Sequence, residues 1–163
     1  MAEHRYVVGL GANLGDAAGA LDWAVRALPG VVAVSDLYSS APVGGPPQPD
    51  YLNAAALLVT DLEPRALLDL LHGLERDAGR LRDVRWGPRT LDLDLLDYDG
   101  ERRATATLTL PHPRMLERAF VRVPLEELLA TGPLQGTWAG LRARLADTAA
   151  NVAAHGVRRY KLT

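Results

Sequence analysis

The chain has 163 residues, 48% of them hydrophobic, which suits one compact domain with a real core, and no apolar stretch approaches the ~20 residues of a membrane-spanning helix. Its net charge of −2 and pI near 6.1 argue against a general binder of polyanions, so any affinity for phosphate must come from a local cluster. It has no cysteine, which excludes disulfides and thiolate metal sites, and residues 1–6 lack the basic-then-apolar layout of a signal peptide, so a cytoplasmic location is expected.

In chain order, residues 5–10 form an apolar run that ends in Gly9-Leu-Gly11-Ala-Asn13-Leu-Gly15-Asp16. Ala20, Leu21, Ala24, Val25 and Leu28 then recur at helical spacing until Pro29-Gly30, giving strand, turn, helix. The dinucleotide fingerprint G-x-G-x-x-G would need glycine at position 14, where this chain has leucine, and no Walker A sequence occurs. The glycines are therefore read as serving the turn and close backbone approach, with Asn13 or Asp16 capping the helix. Residues 31–40 and 51–60 read as the second and third strands. Between them, Ala41-Pro-Val-Gly-Gly-Pro-Pro-Gln-Pro-Asp50 is a conformationally restricted loop able to shape a ligand pocket.

An amphipathic helix is predicted over 64–78, with Pro64 at its start and Leu67, Leu68, Leu71 and Leu74 on one face. It is followed by an arginine-rich loop over 79–90, a strand over 91–98, a turn at Asp99-Gly100 and a short strand near 105–110. A short helix over 114–119, a final strand over 120–124 and a helix or turn over 125–130 complete the pattern, and 132–163 reads as a terminal helix with a tail. The order β-α-β-β-α-β with additions predicts an α+β, ferredoxin-like antiparallel sheet covered by helices on one face, in a single domain spanning 1–163.

The most informative stretch is Arg-Trp-Gly-Pro-Arg-Thr-Leu-Asp-Leu-Asp-Leu-Leu over 85–96. On a strand, Leu91, Leu93 and Leu95 enter the core while Asp92 and Asp94 share the other face, roughly 7 Å apart along the chain. Two carboxylates held so close call for a cation, and Mg²⁺ suits because it takes one or two protein carboxylates and completes its shell with water and phosphate oxygens. Arg80, Arg82, Arg85 and Arg89 supply planar forks for polyphosphate oxygens. The alternative is a half-solvated edge strand beside a solvated arginine loop. Against it stands Trp86, which is costly to leave wet in a polar loop unless it packs on something.

These motifs resemble the 6-hydroxymethyl-7,8-dihydropterin pyrophosphokinase family of folate biosynthesis. The resemblance runs from about Val7 to Leu129 and is carried by residues 85–94. Supporting matches are Gly11-Ala-Asn-Leu-Gly15, Gln48-Pro-Asp-Tyr-Leu-Asn53-Ala, Leu74-Glu75 with Gly79-Arg80, and Leu110-Pro-His112 with Arg118-Ala-Phe120. It implies an ATP- and Mg²⁺-dependent diphosphotransferase that moves pyrophosphate from ATP to the pterin hydroxymethyl group, releasing AMP. By the same resemblance Asp92 and Asp94 bind two Mg²⁺ ions, and Arg80 and Arg89 join them as catalytic residues. Tyr51 and Phe120 sandwich the pterin, with Asn53 at its edge and Ser40, Ala41, Pro42 and Val43 completing that edge. Glu75, Arg80, Arg82, Trp86, Arg89, Thr109, His112 and Arg118 surround ATP.

Stacking between two aromatic faces suits a flat heterocycle, and an amide such as Asn53 can offer both donor and acceptor to it. The 79–90 segment, with Gly79, Gly87 and Pro88 around Trp86, reads as a lid. The chain departs from the family pattern in a loop one residue shorter and poorer in lysine, in Pro113 and in Thr107. Its expected partners are the two small-molecule substrates, with no nucleic acid and no membrane, and a monomer is expected. Rival readings are a metal-dependent phosphotransferase with another planar acceptor, and an RNA-binding ferredoxin-like module, which the acidic balance and the lack of an RNP-type motif disfavour.

Overall fold

The structure, a computed structural model, describes residues 3–13, 15–41, 47–79, 91–99, 103–104, 109–110, 118–131, 141 and 157–160. Strand β1 (His4–Ala12) is central: Tyr6, Val8, Leu10 and Ala12 face one side, Val7, Gly9 and Gly11 the other. It pairs antiparallel with β4 (Tyr51–Thr60) and with β5 (Asp92–Tyr98). On the far side of β4 lie β2 (Val31–Val34) and β3 (Tyr38–Ser40), and a last strand, β8 (Arg158–Arg159), adds to β3. The order β5-β1-β4-β3-β8, with β2 also on β4, is the antiparallel ferredoxin-like arrangement expected from the element order. Strands β6 (Arg103–Ala104) and β7 (Thr109–Leu110) form a separate small ladder, so the strand expected near 105–110 is found at its end.

Helix α1 (Ala17–Ala27) starts where expected, with Asp16 Oδ1 accepting from Gly19 N at 3.0 Å. Asn13 has a different task, since its Nδ2 donates to Gln48 Oε1 at 2.8 Å and to the Pro49 carbonyl at 2.9 Å, tying the Pro-rich loop to the end of β1. Helix α2 (Pro64–Ala78) opens on proline and buries Leu67 and Leu71 fully, each contributing roughly 1.5–3 kcal/mol by leaving water. Both helices pack on the face of Tyr6, Val8, Leu10, Leu91, Leu93 and Leu95.

Four features differ from the sequence reading. The expected strand 31–40 is broken at Ser35, whose hydroxyl accepts from Ala55 N at 3.0 Å and so replaces a ladder carbonyl. Residues 120–124 are not a strand but the start of α3 (Ala119–Thr131). The β-branched pair Val121 and Val123 suggested strand locally, yet Leu125, Leu128 and Leu129, at helical spacing, dock on Val7, Ala55, Leu57 and Leu96. Because α3 takes this second face, the sheet is covered on both sides rather than one, which explains why β4 is buried continuously from Leu52 to Leu58. Finally, Arg158–Arg159 form β8 on the edge of β3, a strand the sequence reading did not include; the helix expected after 132 lies mostly outside the described residues. The short helix expected over 114–119 lies mostly outside the described residues. Among the described residues, no helix is long and apolar enough to cross a membrane.

Candidate active site

The site begins with two glycines in the central strand. Gly11 stands in register with Asn53 of β4 on one side and Asp92 of β5 on the other, and Gly9 likewise joins Ala55 to Asp94. Alternation turns all of these toward the face that α3 covers, away from Leu91, Leu93 and Leu95. With no side chain on β1, the stretch between amide and carboxylate is a bare floor two strand spacings, roughly 10 Å, across. A Cβ on Gly11 would project over that floor, 3.5 Å from Asn53 Oδ1 and 3.9 Å from Tyr51 Cδ1. Burial falls across it, from Asn53 at 4% exposed through a half-buried Asp92 to an exposed Asp94.

The sequence reading gave these glycines the turn and close backbone approach, without placing them as a floor between Asn53 and Asp92. The available signal was two glycines spaced two apart inside a strand pattern, the mark of close backbone or ligand approach.

On the buried side, Asn53 Nδ2 donates to Ser40 Oγ at 2.8 Å and to the Tyr38 carbonyl at 3.3 Å. The donor end of the amide is thus committed to β3, and Oδ1 is the end turned to the floor, so Asn53 presents an acceptor rather than the donor–acceptor pair expected of it. Ser40 is buried and in register with half-buried Tyr51, and Ala41 follows at the exposed end of β3. Phe120 lies in the first turn of α3, on the helix that covers this face, and Arg118 just before it holds its guanidinium 5.8 Å from the Phe120 ring centre. Tyr51, Asn53 and Ser40 gather an aromatic, amide and hydroxyl group at one end of the floor.

On the open side, β5 is the last strand of the sheet among the described residues, and its Leu93 N–H donates to Glu75 Oε2 at 2.9 Å. Glu75 is buried on α2, behind the sheet, and holds the backbone between Asp92 and Asp94. That bond ties it to the strand that carries the carboxylates. Among the described residues no set of three or more His, Asp or Glu side chains converges as a closed metal site. A half-buried and an exposed carboxylate on one face match a hard cation that keeps water and phosphate oxygens in its shell, as Mg²⁺ does.

Of the other sequence-derived candidates, Thr109 lies in β7, paired with Ala104. Pro42, Val43, Arg80, Arg82, Trp86, Arg89 and His112 lie outside the described residues; Gly79 at the end of α2 and Leu91 before β5 bracket the arginine loop in sequence.

Residues 7–130 match the family described as 7,8-dihydro-6-hydroxymethylpterin-pyrophosphokinase. The chain is similar to the 2-amino-4-hydroxy-6-hydroxymethyldihydropteridine pyrophosphokinase of Bacillus subtilis, at 44% identity over 126 residues, covering 74% of this chain and 75% of the relative. The protein of that name from Synechocystis is 45% identical over 130 residues, 77% of this chain and 66% of its own. The mitochondrial folate synthesis bifunctional protein of Arabidopsis thaliana is 44% identical over 133 residues, 79% of this chain but 24% of its own. Among solved structures, a Plasmodium falciparum HPPK-DHPS with STZ-DHP superposes with a TM-score of 0.65 over 99% of this chain at 10% identity, which bears on the fold alone. This chain spans about half the length of that structure, 49%.

Proposed function

The chain belongs to the 7,8-dihydro-6-hydroxymethylpterin-pyrophosphokinase family, and from that premise we propose that it transfers pyrophosphate from ATP to the hydroxymethyl group of 6-hydroxymethyl-7,8-dihydropterin, giving the pterin diphosphate and AMP. The observation that carries the reading is the row Asn53–Gly11–Asp92, an amide and a carboxylate facing each other across a floor with no side chain between. A flat heterocycle fits such a floor. Tyr51 and Phe120 supply aromatic faces for it, and Asn53 Oδ1 accepts from the amino or N–H group on its edge, beside Ser40, Ala41, Pro42 and Val43. A buried acceptor of this kind discriminates strongly, because an analogue without the matching donor leaves it unpaired.

Asp92 and Asp94 are the residues that would hold Mg²⁺, as two ions in this reading. When bound, the metal neutralises charge on the phosphate oxygens. The chain's own part is positioning. Arg80, Arg82, Arg89, His112 and Arg118 would bind phosphate oxygens, Thr109 would border the nucleotide, Glu75 would serve it by holding β5 through the Leu93 N–H, and Trp86 would shield the site from water with its loop. The pterin hydroxymethyl oxygen attacks the β-phosphorus, the bond from that phosphorus to the oxygen bridging to the α-phosphorus breaks, and AMP leaves carrying that oxygen. The hydroxyl proton passes to an acceptor on the open side, Asp94 or water. Transfer of this type asks mainly for alignment and charge neutralisation, so no strongly basic side chain is required.

The two ends of the floor make separable contributions. Asp92→Ala and Asp94→Ala are expected to lower turnover by about 10²-fold or more while pterin affinity changes by less than about 3-fold. Asn53→Ala is expected to do the reverse to pterin affinity, measured by equilibrium titration. Near-normal turnover in both aspartate variants would remove their metal role.

A further inference from the structure

We infer that Arg159, in the C-terminal strand β8, is a positioning residue for the pterin end of the site, acting through Tyr38 and β3 on the Asn53 amide. The inference rests on the reading of Asn53 as the residue at the pterin edge. Arg159 lies beyond the family-matched residues 7–130.

The path begins with the backbone. Strand β3 has three residues, Tyr38 to Ser40, and β8 supplies its second neighbour, with Tyr38 opposite Arg159 and Ser39 opposite Arg158. Tyr160 N adds a bond to the Leu37 carbonyl at 2.8 Å. The Arg159 side chain then joins three parts of the fold. Its Nε lies 3.3 Å from Asp36 Oδ2, ahead of β3; its Nη2 lies 3.3 Å from Glu127 Oε1 on α3 and donates to Tyr38 Oη at 3.4 Å; and its guanidinium stands 5.8 Å from the Tyr38 ring centre. Glu127 closes the circuit by accepting from Asp36 N at 3.0 Å and from the Tyr38 hydroxyl. The fork of arginine fits this task, since one planar group meets two carboxylates and a phenol at once.

Strand β3 in turn fixes Asn53, because both bonds of its Nδ2 end there, on Ser40 Oγ and the Tyr38 carbonyl. A shift of β3 therefore tilts Oδ1 over the floor. Asp92 and Asp94 lie on β5, which β1 and β4 separate from β3. Arg159 and Asp36 are largely exposed, so their ion pair contributes little to global stability. Loss of Arg159 is thus expected to register in ligand geometry before it registers in unfolding.

The test measures, for the wild type, Arg159→Ala, Arg159→Lys and Tyr38→Phe, the equilibrium affinity for the pterin and for a non-hydrolysable ATP analogue with Mg²⁺, alongside thermal unfolding. Arg159→Ala is expected to weaken pterin binding about five-fold with nucleotide affinity unchanged within about two-fold. Arg159→Lys, which keeps the charge and loses the fork, should fall between. Tyr38→Phe removes only the hydroxyl and should repeat the selective loss in a smaller degree, giving a second reading should Arg159→Ala fail to fold. Unchanged pterin affinity, or equal loss for both ligands, in folded variants would overturn the inference. A wild-type chain that binds no pterin contradicts the functional reading itself, a result distinct from either.

Discussion

An alanine at position 11 would place its methyl group at ordinary contact distance from Asn53 Oδ1 and the Tyr51 ring, so the fold has room for it. The ligand does not, because the methyl would stand on the floor. Gly11→Ala is therefore expected to change unfolding free energy by less than about 1 kcal/mol while weakening pterin binding by about ten-fold or more, read by denaturant titration and equilibrium binding. Unaltered binding would mean that the heterocycle lies elsewhere. Glu75 makes the opposite case. Removing its carboxylate in Glu75→Ala leaves the buried Leu93 N–H without that acceptor, at a cost of roughly 1–3 kcal/mol, whereas Glu75→Gln keeps an acceptor and should lose much less. Equal stability of the two variants in urea would count against the bond. At this scale strand alternation, a local rule, made legible that Asp92 and Asp94 share the face opposite Leu91, Leu93 and Leu95, whereas Tyr51 entered through the family resemblance. The Glu75–Leu93 bond and the Asn53–Gly11–Asp92 row were not legible, since both depend on how distant segments come into register.

Elements were legible where pattern and local chemistry agreed. Pro64 followed by leucines three and four apart admits one reading, and α2 forms over 64–78 as expected. The 120–124 segment failed because its β-branched residues point one way and the leucines beyond Pro124 another, and tertiary docking on Val7 and Leu57 decides for the helix. Strand β8 was not read because a two-residue strand has no periodicity to detect; only its pairing with β3 defines it. The turn into β2 carries a sharper expectation. Gly30 has φ of +67°, and a Cβ there would lie 1.9 Å from the Val59 carbonyl oxygen. Gly30→Ala is accordingly expected to cost more than about 2 kcal/mol, through both strain and displacement of β4. A stability equal to wild type in chemical denaturation would show that this turn is not as tightly held as its geometry implies.

For the whole molecule, the antiparallel ferredoxin-like sheet is common to many activities, and the fold by itself does not choose among them. The choice comes from the floor, which the sheet order assembles by bringing β4, β1 and β5 side by side, and from the family to which residues 7–130 belong. The arginine loop and His112, prominent in the sequence, lie outside the described residues and keep their assignments from the family resemblance. Stability at high pH gives a test of how the sheet is closed. Tyr38 has its pKa raised above 10.0, first by burial and then by its hydrogen bond to Glu127, with Arg159 acting in the opposite sense. A phenol that holds its proton more tightly in the folded state contributes stability that is complete below the unfolded value and is lost as pH rises through the folded one. Wild-type unfolding free energy should therefore fall above pH 10.0 more steeply than that of Tyr38→Phe. Identical slopes would place the phenol outside the closing circuit. The most direct measurement of the central claim is AMP release from ATP and Mg²⁺, with and without 6-hydroxymethyl-7,8-dihydropterin, with the acceptor followed by mass. The expected result is AMP that forms only when the pterin is present, matched one for one by pterin diphosphate. AMP without pterin, or bound pterin with neither product, would contradict it.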